Sequence, residues 1–228
     1  MPTLFPTSAH EQRQLTGFAL VALAAAVAAW ALERNGAGAL FAPYLGAFDP
    51  VLALIVASLA GALSLRALQH WGWFAARRSG GFTGVGIAAA CATLLAAPVI
   101  IFDALVGIDV TNAPAPWSLL FYPAIALLVE AVFHLAPLAL VFAGLRSAAR
   151  IGADRAALAC ISLVSILEPA YQASSDQTIY ALEAYVSAQV WAVNLAQLYL
   201  FRRFGFASML MLRLVYYLWW HIVWGCLR

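Results

Sequence analysis

The stretch Trp117–Leu145, WSLLFYPAIALLVEAVFHLAPLALVFAGL, decides the class of the fold. Across its 29 residues only Glu130 and His134 carry an acidic or basic side chain. A helix needs about 20 consecutive apolar residues to cross a hydrocarbon layer ~30 Å thick, so this stretch is longer than one crossing requires. Pro123 offers a natural start, because proline is tolerated in the first helical turn, where its missing N–H is no loss. The expected helix runs over 123–145, with Trp117–Tyr122 as an interfacial segment before it. Pro137 removes the hydrogen bond to the carbonyl of Phe133 and is expected to kink the helix.

Working outward, six more apolar stretches follow the same rule: 15–32, 50–69, 83–105, 155–172, 178–201 and 206–226. Asn35-Gly36, Gly80-Gly81 and the Pro-rich run at 112–116 punctuate the connections. The chain of 228 residues is 65% hydrophobic and 10% charged. A soluble domain of this size is about half apolar and a quarter charged, so one aqueous core is excluded. The reading is an all-α, polytopic membrane protein, residues 1–228 forming one membrane domain of seven transmembrane helices in a single bundle. The first stretch reads as a retained helix rather than a signal peptide, its apolar core being long and its leading segment carrying one Arg.

Arginine placement gives an orientation. With seven spans, Arg13, Arg66, Arg77, Arg78, Arg146, Arg150, Arg155, Arg202 and Arg203 fall on one side. Arg34 and Arg228 fall on the other, together with the acidic Glu33, Asp49, Asp103, Asp109 and Asp176. Cytoplasmic loops retain positive charge, so the expectation is a cytoplasmic N-terminus and an external C-terminus in a bacterial-type inner (cell) membrane. All 12 basic residues are Arg; without Lys, Schiff-base and retinal-type chemistry is excluded. A net charge of +2 and the lack of a nucleotide-binding glycine loop argue against nucleic acid as a partner. Cys91, Cys160 and Cys226 are too scattered for a disulfide framework or a Cys-based zinc site.

Ionisable side chains inside spans cost several kcal/mol unless they face protein or water, so each is a candidate functional group. They are Glu130 and His134 in the fourth span, Glu168 in the fifth, Glu183 in the sixth, and Arg213 and His221 in the seventh. Glu130 and His134, four apart, share a helix face, as do Arg213, Tyr217 and His221, and also Glu168 and Gln172. At ~1.5 Å per residue from Pro123, Glu130 lies roughly 11 Å below the outer surface and His134 roughly 17 Å. Glu168, Glu183 and His221 enter at a similar or shallower level, so four helices bring ionisable groups to the outer half of the membrane. Glu183 could instead pair with Arg213 as a structural ion pair.

Carboxylate and imidazole together can hold and deprotonate water, with a second imidazole donating to an oxyanion or a leaving amine. The expected catalytic set is therefore Glu130, His134, Glu168 and His221. The same four could instead bind zinc or iron, or the two histidines a haem, although H-E-x-x-H and paired E-x-x-H signatures are absent. A small ion- or proton-coupled transporter is a further alternative, without an internal repeat to support it.

The segments Val129-Glu-Ala-Val-Phe-His134, Val164-Ser-Ile-Leu-Glu168 and His221-Ile-Val-Trp-Gly225 resemble the motifs of the CAAX-protease and bacteriocin-processing family of glutamic intramembrane endopeptidases. That signature is E-E-x-x-x-R, then F-x-x-x-H, then H-x-x-x-N on successive core helices. Glu130, Phe133 and His221 match it in kind. Val129, His134, Glu168 and Gly225 stand where it has Glu, Arg, His and Asn. The resemblance covers residues 117–228. It implies hydrolysis of a peptide bond in or near a membrane helix, in a membrane-anchored protein or peptide substrate, by Glu/His-activated water and with no cofactor.

Overall fold

The computed structural model describes residues 9–76, 81–107, 112–148, 152–175 and 180–227. Arg77, Arg78, Asp109, Arg150, Asp176 and Arg228 lie outside them, as does the side chain of Glu183. The described residues form helices and no strand. Helix α1 (Ala9–Arg34) is followed by a 3-10 turn and the short α2 (Ala42–Leu45). Helix α3 (Pro50–His70) starts on a capping Asp49, whose carboxylate accepts the N–H of Leu52 at 2.7 Å, with Pro50 in the first turn. Helix α4 (Gly81–Val106) comes next. The long central helix comprises α5 (Ser118–Val129), a π-helical segment (Glu130–Leu135) and α6 (Ala136–Ala148). After α7 (Ala153–Val164), α8 (Leu167–Ser175) and α9 (Tyr180–Phe204), the chain ends in α10 (Phe206–Tyr217), a second π-helical segment (Leu218–Trp224) and α11 (Gly225–Leu227).

Six helical stretches are long and apolar enough to cross a membrane, so this is a multi-pass membrane protein. Helix α9, where a seventh span was expected, is also long enough at 25 residues, but it falls short in hydropathy. Glu183, Gln189, Asn194, Gln197, Arg202 and Arg203 dilute it. The outer surface bears large apolar side chains, including Leu63, Phe82, Leu105 and Leu140. That exposure is costly in water and ordinary against acyl chains.

Helix packing relies on small residues, which let backbones approach where no hydrophobic driving force separates protein from lipid. Ala88, Ala92 and Ala96 form a buried stripe on α4 against Leu212, Tyr216 and Trp220. At Gly61 of α3 an added Cβ would stand 2.7 Å from the Phe18 ring of α1 and 3.2 Å from Ala131. At Gly84 of α4 it would collide with Phe204 and Ser208.

One local expectation is corrected, and two prolines show how the backbone accommodates them. The fourth span begins at Ser118, and Pro123 sits inside the helix. The turn before it explains this, since the N–H groups of Ser118, Leu119, Leu120 and Phe121 are already bonded to the carbonyls of Pro114, Pro116 and Trp117. At Pro137 the helix widens: the N–H of Ala136 reaches back five residues to Ala131, and the π-helical turn absorbs the bond that Pro137 cannot make. The fifth span is broken at 165–166, and Pro169 sits in the first turn of α8, where its missing N–H leaves the Ser165 carbonyl without a helical donor.

The ends of the bundle differ in charge. Gln69 near the end of α3 donates to the carbonyl of Glu11 near the start of α1 (3.1 Å), and Arg146 of α6 donates to the carbonyl of Trp71. Arg202 of α9 pairs with Asp154 of α7 and donates to the carbonyl of Trp73 at 3.0 Å. These contacts gather Arg13, Arg66, Arg146, Arg155, Arg202 and Arg203 at one end, with Arg34 at the far end of α1.

Candidate functional site

The polar residues of the span interiors converge on one guanidinium. Arg213 of α10 is 2% exposed and makes five hydrogen bonds to side chains of four helical segments. Its Nε donates to Glu130 Oε1 at 2.6 Å. Its two terminal nitrogens grip Glu168 in the bidentate manner that suits a planar fork, at 3.0 and 2.8 Å. The same nitrogens reach the Tyr217 hydroxyl and Asn194 Oδ1, each at 3.1 Å. Glu183, the partner considered from sequence, is not needed to balance it.

Glu130 and His134 are fully buried. His134 Nδ1 is 3.1 Å from Glu130 Oε2, and Nε2 is 3.8 Å from Glu168 Oε2, beyond hydrogen-bond length. Gln197 of α9 donates to Glu130 Oε1. Two carboxylates face one guanidinium, and His134 stands between the carboxylates.

Local backbone structure positions these groups. Glu130 and His134 both lie in the π-helical segment before Pro137, and His221 lies in the second one. Such segments recur at functional sites. The break at 165–166 puts Glu168 in the first turn of α8, facing α10. The Ser165 carbonyl, left without a helical donor by Pro169, accepts from Asn194 at 3.2 Å, and Ser165 Oγ accepts from Trp191 at 3.0 Å.

A cavity of about 320 Å³ opens beside the cluster. Glu168, Arg213, Tyr217, His221, Tyr122 and Asn194 supply its polar lining, and Phe133, Tyr171 and Trp220 are among its aromatic walls. Glu130 and His134 are not on its surface. Of the four residues singled out from sequence, Glu130, His134 and Glu168 thus form one cluster. Glu168 and His221 share the cavity wall.

His221 belongs to a second small network. Its Nδ1 is 2.8 Å from Asn112 Oδ1, and its ring stacks on Tyr122 with centroids 4.8 Å apart. The Tyr122 hydroxyl donates to Asn112 at 3.2 Å and accepts the N–H of Ala113 at 3.0 Å. Gly225 makes room for this: a Cβ there would meet the Asn112 amide at 2.7 Å.

Comparison with protein-family models, with curated proteins and with solved structures returns no match. The chemistry therefore has to be read from the site itself.

Arg213 holds both oxygens of Glu168 and one of Glu130, whose other oxygen faces His134, and among the described residues no group of three His, Cys, Asp or Glu is placed to hold a metal. His134 is sealed between two carboxylates and His221 is stacked on Tyr122, so the two imidazoles do not face each other across open space. Sequence reading missed the neutral members: Asn194 and Gln197 on α9, and Asn112 and Tyr122 around His221. Buried amides inside a helical span, three residues apart, were the available signal, since a polar group in lipid must find a partner.

Proposed function

We propose that the cavity is the active site of an intramembrane hydrolase that cleaves a peptide bond in or near a membrane helix of an anchored protein or peptide substrate. The observation that carries this reading is the convergence of a carboxylate, an imidazole, a guanidinium and phenol hydroxyls on one cavity.

Glu168 is the general base. An ionised carboxylate has about four lone-pair sites. Arg213 occupies two, Gln172 lies at the 3.5 Å limit of a third, and a site remains for water on the cavity side. Glu168 takes the proton as water attacks the carbonyl carbon. Tyr217, which accepts from Arg213 at 3.1 Å, keeps its own O–H to donate to the developing oxyanion. His221, oriented by Asn112, protonates the leaving amine, and the proton that Glu168 took from water returns to His221, so that one water is consumed and both groups end as they began. Glu130 and His134 stand behind Arg213 and hold it in place.

The motif resemblance supports the same reading in a relocated form. Arg213 supplies a guanidinium against Glu130 where His134 stands in the Arg position, Glu168 supplies a second carboxylate where Val129 stands, and Asn112 supplies the amide that Gly225 lacks. As a whole, the proposal is a seven-span protein of a bacterial-type inner membrane, with the arginine-rich end cytoplasmic and water activated directly by Glu168.

The test uses purified protein in proteoliposomes with single-span model peptides. Glu168→Gln retains size and one acceptor, and is expected to lower cleavage at least ~100-fold, the scale of general-base catalysis. His221→Gln is expected to lower it by a similar factor, with thermal unfolding showing that both variants fold. Cleavage that survives Glu168→Gln, or a wild type that cleaves no membrane peptide, overturns the reading.

A further inference from the structure

At the arginine-rich end, away from the cavity, α1, α4 and the start of α10 enclose a separate slot of about 450 Å³. His10, Arg13, Gln14, Gly17 and Val21 contribute to it from one face of α1, each three or four residues from another of the set. The two ends of the slot differ in chemistry. His10, Arg13 and Gln14 form the mouth, whereas Val21 and the facing Val85 and Leu214 are apolar. From Arg13 to Val21 the helix rises ~12 Å, most of a leaflet about 15 Å deep, half the ~30 Å hydrocarbon layer.

The mouth is selective by charge. Gln14 is committed: its Oε1 accepts the N–H of Phe206 at 3.0 Å and its Nε2 lies 2.9 Å from His10 Nε2. Arg13 is exposed, and among the described residues no carboxylate makes a salt bridge to it. The surrounding end of the bundle is rich in arginine, with Glu11 and Asp154 the described acidic residues there. The apolar part is open: a Cβ added at Gly17 would meet nothing within 4 Å.

We propose that this slot binds one phospholipid with an anionic headgroup, its phosphate on Arg13 and one acyl chain along Gly17, Val21, Val85 and Leu214. The occupant is a lipid because the slot changes from cationic to apolar over the depth at which a lipid does. An anionic headgroup is favoured because Arg13 adds an attraction beyond that available to a zwitterionic one.

The experiment is native mass spectrometry of the full chain in detergent, titrated separately with phosphatidylglycerol and phosphatidylcholine of matched acyl chains. The wild type is expected to prefer phosphatidylglycerol by about five-fold, the factor one arginine near the membrane surface contributes. Arg13→Gln is expected to abolish the preference while leaving phosphatidylcholine binding unchanged. Gly17→Leu fills the chain path and is expected to weaken both lipids at least five-fold with Arg13 intact. Arg13 is exposed, so its substitution leaves the fold standing if Gly17→Leu does not. Equal binding of the two lipids by the wild type overturns the proposal, as does a preference that survives Arg13→Gln. A wild-type dimer that Gly17→Leu converts to monomer also overturns it, making the slot an interface between copies. None of these readouts depends on hydrolysis at Glu168.

Discussion

Replacing Arg213 by Met keeps the length and much of the volume of the side chain while removing the one charge on which the cluster converges. Five hydrogen bonds disappear, and Glu130 and Glu168 are left almost fully buried without the cation that faces both. Breaking a buried ion pair by deleting one partner costs about 3–5 kcal/mol, because an uncompensated charge stays in a low-dielectric interior. For a chain of this size each kcal/mol moves the melting temperature by about 2–4 °C, so Arg213→Met is expected to melt about 6–20 °C lower. The assay is thermal unfolding of the purified protein in one detergent at fixed pH. Replacing the whole ionic set is often neutral or stabilising, so Glu130→Gln and Glu168→Gln added to Arg213→Met should restore most of the loss. A fall of less than about 2 °C in the single variant, on the same scale, would refute the buried clamp. So would a triple variant no more stable than the single.

Gly61→Ala drives a Cβ to within 2.7 Å of the Phe18 ring and should cost about 1–3 kcal/mol as an overpacked contact, read as a lower melting temperature. Asn194→Ala orphans the Ser165 carbonyl and removes an acceptor from Arg213; a loss of about 1–3 kcal/mol is expected in the same assay. Under the proposed topology, a reporter fused after Arg228 is accessible from outside the cell and one fused before Ala9 is not; finding both on one side removes the seven-span count. Asn112→Leu removes the acceptor facing His221 Nδ1, and hydrolysis should fall mainly in kcat with KM little changed if Asn112 orients the acid. An unchanged kcat would leave His221 needing no such partner.

The membrane class of this protein, its helical content and most of its helix boundaries are legible in the sequence. They follow from the length of apolar runs and the punctuation between them, which are local properties. The cost of ionisable groups in lipid was also local, and it marked Glu130, His134, Glu168 and Arg213 before any contact was known. That Pro137 interrupts the hydrogen-bond ladder was legible too, but the form the backbone takes around a proline was not. At Pro137 the helix widened into a π-turn, and ahead of Pro169 it broke at 165–166, because the backbone could find other partners there.

Which polar groups meet was decided by tertiary structure alone. Helix periodicity says which residues share a face, but not how neighbouring helices are rotated or how far they slide. Those variables bring Glu168 onto Arg213, and place Asn112, from a loop, against His221 and Gly225. They also separate Glu130 and His134, buried behind the guanidinium, from Glu168 and His221 on the cavity wall. The composition of a span determines that it enters the membrane. The partners of its few polar atoms depend on side-chain packing between segments up to 192 residues apart, and no window of sequence contains that information.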